Sequence, residues 1–144
     1  MDSSPNPLPH PLPPGSPPPR QPAGLLRRRA VSFQHAVRGV RSALASEVHL
    51  RFHAGVSVLV LGLGFYLDLN HTEWALVALA IAAVWSAELL NTAVEALTDL
   101  VSPAYHPLAG KAKDVAAGAV LLAALGAAVV GLIVFGERIV DLFR

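Results

Sequence analysis

Glu88-Leu-Leu-Asn91-Thr-Ala-Val-Glu95-Ala-Leu-Thr98-Asp99 closes an apolar run that begins at Trp74. The run has the composition of a membrane span, yet its second half carries three carboxylates and an amide. At 100° per residue, Glu88, Asn91, Glu95, Thr98 and Asp99 fall within an arc of about 100° on one helix face. Acidic side chains at membrane depth are expensive, so they face protein or water and mark function. An aligned acidic stripe at the lipid edge suits a site for Mg²⁺ and a phosphate donor.

Working outward, Trp74–Val101 runs without a breaker for 28 residues. That length covers ~42 Å as a helix, more than the apolar layer needs, so the acidic end emerges at the interface. On its amino-terminal side, Ala54–Leu67 is short for a span, and the residues on either side bring it to the ~20 that a bilayer requires. On the other side, Val115–Gly136 is an uncharged run of 22 residues with small side chains throughout, which favours close helix packing in lipid. The spans are expected at about residues 51–69, 73–101 and 112–136. Ahead of them, Val31, Phe33, Ala36, Val37, Val40, Ala43 and Leu44 recur at helical spacing beside Arg38 and Arg41. This pattern predicts a basic amphipathic surface helix over 30–46, lying in the membrane interface.

The composition agrees with this reading. Hydrophobic residues make up 53% of the 144, and the mean hydropathy of +0.51 is too high for a soluble domain of this size. There are no cysteines, which excludes disulfides, thiolate metal sites and cysteine nucleophiles. Residues 1–24 hold ten of the twelve prolines and are expected to form a disordered, partly polyproline II tail, leaving 25–144 as the membrane domain. Six of the eleven Lys and Arg residues lie between Arg27 and Arg51. With the remainder so lipid-compatible, that cluster points to anionic headgroups rather than nucleic acid. The basic segment before the first span, together with Lys111 and Lys113 before the third, places the amino terminus in the cytoplasm. The loop Asp68–Glu73, without Lys or Arg, then lies outside, and the acidic stripe faces the side where ATP is found.

Four groups converge on that boundary: the stripe itself, Glu47-Val-His49-Leu-Arg51-Phe-His53, the loop Ser102–Pro107, and Lys111-Ala-Lys113-Asp114. Carboxylates from separate elements suit Mg²⁺, and Lys113 can neutralise phosphate charge. A desolvated Glu88 is suited to act as general base toward an alcohol. There is no phosphate-binding loop of the G-x-x-x-x-G-K-[ST] type, so any use of ATP needs an unrelated site. His49 and His53, four residues apart, could chelate a transition metal with Glu47, but no third firm ligand accompanies them.

Glu88-Leu-Leu-Asn91-Thr-Ala-Val-Glu95-x-x-x-Asp99, followed by Tyr105-His106 and Lys113-Asp114, resembles the prokaryotic diacylglycerol kinase family. The Glu47-x-His49-x-Arg51-Phe52-His53 spacing is similar to its undecaprenol kinase branch. The resemblance covers about residues 30–140. It implies an all-α integral membrane lipid kinase with a surface helix and three spans, assembled as a homotrimer in the bacterial inner membrane. It implies ATP- and Mg²⁺-dependent phosphorylation of a lipid alcohol, undecaprenol or diacylglycerol. By the same resemblance Glu88 is the general base and touches the acceptor with Arg51. Glu47 and Glu95 bind the metal, and with Asn91, Asp99, His106, Lys113 and Asp114 they surround ATP. Arg28 and His35 match nucleotide-side positions only approximately, and His49 stands where this branch often has Asn. The rival reading from another class is a small oligomeric transporter or proton-conducting subunit using the same carboxylates. The absence of charge through the outer half of every span counts against a continuous pathway.

Overall fold

The computed structural model describes residues 24–142; the Pro-rich tail expected at 1–24 lies, except for Gly24, outside the described residues. Four helices follow in order: α1 (Leu25–Ser46), α2 (Val48–Tyr66), α3 (His71–Val101) and α4 (Pro107–Leu142). The contacts divide the chain after Gln34. In the first unit the described residues are the opening turns of α1, where the Arg28 N–H donates to the Gly24 carbonyl and the Ser32 hydroxyl to the Arg28 carbonyl. The helix thus starts at Leu25 rather than at 30. Arginine and leucine favour a helix even where no apolar stripe announces it.

In the second unit, His35–Arg144, α3 is the central element and packs on both α2 and α4. Helices α2, α3 and α4 are each long and apolar enough to cross a membrane. Large apolar side chains such as Leu59, Phe65, Leu79, Leu132 and Ile133 are exposed along them. Such a surface is tolerable only where the solvent is itself apolar. The fold is therefore all-α and integral to the membrane, in agreement with the sequence.

The buried core lies at the α2–α3 loop end. Leu69, Val77, Val134 and Phe135 are buried there, with Val60, Leu63, Trp74 and Ile81 packed against them. The α2–α3 turn explains this closure. The Leu69 N–H donates to the Gly64 carbonyl and the Asp68 N–H to the Phe65 carbonyl, the paired bonds of a Schellman cap. Asp68 takes the left-handed conformation this cap requires, at φ 52°. Asn70 then opens α3 through a capping box with Glu73: its side chain accepts from the Thr72 and Glu73 N–H groups, and the Glu73 carboxylate accepts from the Asn70 N–H. Arg138 of α4 closes the cluster by donating to both Glu73 oxygens and to the Leu67 and Asp68 carbonyls. A cation on the loop side, which runs against the charge bias of the sequence, is thus neutralised locally.

The other turns shape the opposite end. Glu47 is the single extended residue between α1 and α2, at φ −94° and ψ 121°. Pro107 occupies the first turn of α4, where its missing N–H costs nothing, and the His106 imidazole Nδ1 accepts from the Leu108 N–H. That cap starts α4 five residues ahead of the expected span at 112.

Two substitutions in the α2–α3 turn should have opposite signs. A Cβ on Gly64 would meet the Trp74 ring at 2.9 Å and Leu69 at 3.0 Å. Gly64→Ala should therefore cost about 1–3 kcal/mol through overpacking. Asp68→Gly should be neutral or stabilising by up to about 1 kcal/mol, because glycine adopts positive φ without strain. Thermal unfolding of both variants in detergent, beside the parent chain, checks the pair.

Candidate functional site

The acidic face of α3 is graded by depth. Glu88 is buried, at 5% exposure; Asn91 and Glu95 are half-buried; Asp99 is exposed. Eleven residues separate Glu88 from Asp99, so the stripe descends about 16 Å along the helix axis. Glu88 and Glu95, seven residues apart, sit two turns from one another on nearly the same line.

Glu88 is met by α2, where His53 Nε2 lies 3.1 Å from its Oε1. One turn further along, the Trp85 indole N–H donates to Ser57 Oγ at 3.1 Å, and that hydroxyl donates to the His53 carbonyl at 2.7 Å. Two polar rungs therefore join α2 to α3 within the apolar layer. Neither Ser57 nor Trp85 stands out in its own stretch of sequence. A signal was present, since His53 and Ser57 are spaced i, i+4 and Trp85 and Glu88 i, i+3, so each pair shares a face.

One turn nearer the helix end, Asn91 Nδ2 donates to Glu95 Oε1 at 2.9 Å. The Asn91 Oδ1 is buried with no partner among the described residues. Thr98, although on the same face, turns its hydroxyl back to the Val94 and Glu95 carbonyls. Glu47 faces this region from the α1–α2 corner. It occupies the N-cap of α2 without using its side chain as a cap, and its Oε1 accepts from the Ser46 hydroxyl at 2.9 Å.

Glu47, Glu95 and Asp99 line one groove of about 740 Å³ between the carboxyl-terminal half of α1 and α3. Its other walls are mostly small, with Ala36, Gly39, Ala43, Ala93 and Ala96. No cluster of three or more His, Asp or Glu ligands occurs among the described residues. Two hard carboxylates over an open groove fit Mg²⁺, which retains waters and completes its octahedron with substrate phosphates.

The remaining expected residues hold the rim. Lys113 of α4 pairs with Asp99 at 2.5 Å, their side chains 37% and 68% exposed. A pair this exposed contributes little, about 0–1 kcal/mol, and opens readily. Arg51 donates to the Ala45 carbonyl at 3.4 Å, tying the end of α1 to the start of α2. His106 caps α4 as described, and Asp114 and His49 are exposed. A second groove, about 800 Å³ and mostly apolar, lies between α3 and α4 and includes Asn91 and Lys111.

The model of the prokaryotic diacylglycerol kinase family matches residues 34–135. The chain belongs to that family. Undecaprenol kinase of Bacillus subtilis is 43% identical over 104 residues, covering 72% of this chain and 85% of the relative. Diacylglycerol kinase of Synechocystis is 46% identical over 102 residues, covering 70% of this chain and 58% of the relative. Diacylglycerol kinase of Escherichia coli K12 is 32% identical over 92 residues, 64% and 75% respectively. By family, then, the protein is a membrane lipid kinase.

The Trp85–Ser57 rung should have a measurable worth. Ser57→Ala keeps the side-chain volume nearly constant but removes the hydroxyl that joins the rung, and should lower stability by about 0.5–1.5 kcal/mol. Thermal unfolding in micelles checks this, with the exposed Leu79→Phe as a control that should change little.

Proposed function

We propose that this chain transfers the γ-phosphate of ATP to a membrane lipid alcohol, with undecaprenol favoured over diacylglycerol. The observation that carries the reading is the buried Glu88, two turns along α3 from Glu95, which lines a groove together with Glu47. A proton acceptor belongs where a lipid hydroxyl lies, and phosphate-handling groups belong nearer water. Undecaprenol is supported by the relative of which the chain covers 85% and by the Glu47-x-His49-x-Arg51-Phe52-His53 spacing.

Glu88 takes the proton of the acceptor hydroxyl as its oxygen bonds to the γ-phosphorus and the bond to the ADP oxygen breaks. Glu47 and Glu95 would hold Mg²⁺, which would supply positive charge to the phosphate oxygens. Lys113, released from Asp99, gives its ammonium to the same oxygens. Asn91 steers the Glu95 carboxylate through its amide bond. Arg51, through its bond to the α1 carboxyl end, keeps Glu47 at the groove. Asp99, Asp114 and His106 flank the nucleotide at the water-facing rim. The basic helix α1 lies on the cytoplasmic leaflet, the amino terminus is cytoplasmic, and the active assembly is a homotrimer in the bacterial inner membrane.

The direct test is purified protein in micelles with Mg-ATP and either undecaprenol or diacylglycerol, with phosphorylated lipid measured. Product from undecaprenol in excess of that from diacylglycerol is expected. Failure with both acceptors overturns the assignment.

Two variants test the roles. Glu88→Gln keeps the shape and removes the proton acceptor, so kcat should fall by about 10²–10⁴-fold while the KM for ATP stays nearly constant. Glu47→Ala and Glu95→Ala should each raise the Mg²⁺ needed for half-maximal rate. The double variant should be far less impaired than the product of the single effects, as for two ligands of one ion. Additive effects would assign the two carboxylates to separate sites.

A further inference from the structure

Outside the groove, the most unusual polar arrangement is the pair of rungs between α2 and α3. Glu88 is the only buried charged side chain among the described residues, and the one titratable group against it is His53. A buried carboxylate has few ways to be compensated, and its orientation follows from whichever donor meets it. Here the group that meets it, the His53 imidazole, comes from a different helix. His53 Nε2 lies 3.1 Å from Oε1, within ion-pair distance, and the Glu88 side chain keeps 7% exposure.

His53 is itself held. The Ser57 hydroxyl binds the His53 carbonyl and is clamped by the Trp85 indole, so α2 is prevented from sliding or rotating against α3 within one turn of the imidazole. The Phe52 ring stands edge-on to His53, with centroids 5.5 Å apart. Neither residue lines the groove that holds Glu47, Glu95 and Asp99, so this device is separate from the nucleotide side.

We propose that His53 is a positioning residue for phosphoryl transfer: its imidazole Nε2 holds one Glu88 oxygen so that the other meets the lipid hydroxyl, and the Trp85–Ser57 rung holds His53 in place. The proposal rests on the lipid kinase reading with Glu88 as base. It accounts for a histidine inside an apolar helix, where an uncompensated imidazole would be costly.

The test compares His53→Gln, His53→Asn and His53→Leu in micelles with saturating Mg-ATP and undecaprenol. Gln places an amide nitrogen at the reach of Nε2, whereas Asn ends at the level of Nδ1 and Leu offers no donor. A roughly 10- to 100-fold loss of kcat is expected for Leu and Asn, the range that outer partners of a reactive ligand command. Gln should recover most of that loss, and the KM for ATP should stay within about twofold in all three. A purely structural role would follow thermal stability, which should rank the variants differently from kcat. Should the Leu variant fail to fold, Gln against Asn carries the comparison. Combining His53→Leu with Glu88→Gln should give no further loss beyond Glu88→Gln alone.

Retained kcat in Leu, equal loss in Gln and Asn, or an additive double variant overturns the proposal while the kinase reading stands. An inert parent chain, or an active Glu88→Gln, overturns the underlying reading and the proposal with it.

Discussion

A carboxylate inside a bundle of apolar helices constrains everything around it, because lipid offers no substitute for water. Glu88 meets this constraint with His53, and the pairing dictates how α2 must face α3. The seam between these helices is sparse beside the α3–α4 interface, yet it contains both cross-helix rungs of the apolar layer. Hydrogen bonds between helices in a membrane are modest, averaging about 0.6 kcal/mol. The rungs therefore set rotation and register more than they supply stability.

Stability comes from the other end. There the Schellman cap, the capping box and Arg138 satisfy the backbone of a tight turn, and a small apolar core forms beneath it. Toward the acidic end the packing opens. Small side chains line the groove, and the charged pair at its rim is weak and exposed. If, as we propose, a nucleotide from water and an alcohol from lipid meet here, close packing would exclude them. One end is closed so that the other can stay open without losing register.

Much of this was legible in the chain because it depends on a single helix. The polar face from Glu88 to Asp99 follows from the 3.6-residue period alone, and three apolar helices follow from length and hydropathy. What depends on two helices was not legible. Whether His53 reaches Glu88 rather than His49 or Glu47 depends on the rotation of α2 against α3, which no one-helix pattern encodes. The same holds for Ser57 and Trp85, each unremarkable in its own helix. The early start of α1 escaped for another reason: Leu25 to Arg29 favour a helix without repeating as an apolar stripe. Residues singled out by family resemblance also have local work. Arg51 ties a helix corner and His106 caps α4, so the chemical duties proposed for them would have to coexist with structural ones.

The depth gradient on α3 is the feature that joins structure to chemistry. A group that accepts a proton from a lipid hydroxyl must lie where that hydroxyl is held, and groups that handle phosphate charge must lie where hydrated ions arrive. The mechanism we propose uses this order on a single helix: Glu88 deepest and paired, Glu95 bonded by Asn91 two turns on, and Asp99 exposed and loosely paired with Lys113. The sense of the Asn91 amide follows from this order. Its Nδ2 must face the Glu95 carboxylate, since its oxygen would be repelled there, and Oδ1 is left buried without a donor. An orphaned acceptor costs about 1–3 kcal/mol. Along this face α3 carries its unpaired and loosely paired groups, whereas the satisfied ones gather at the α2–α3 turn at its other end.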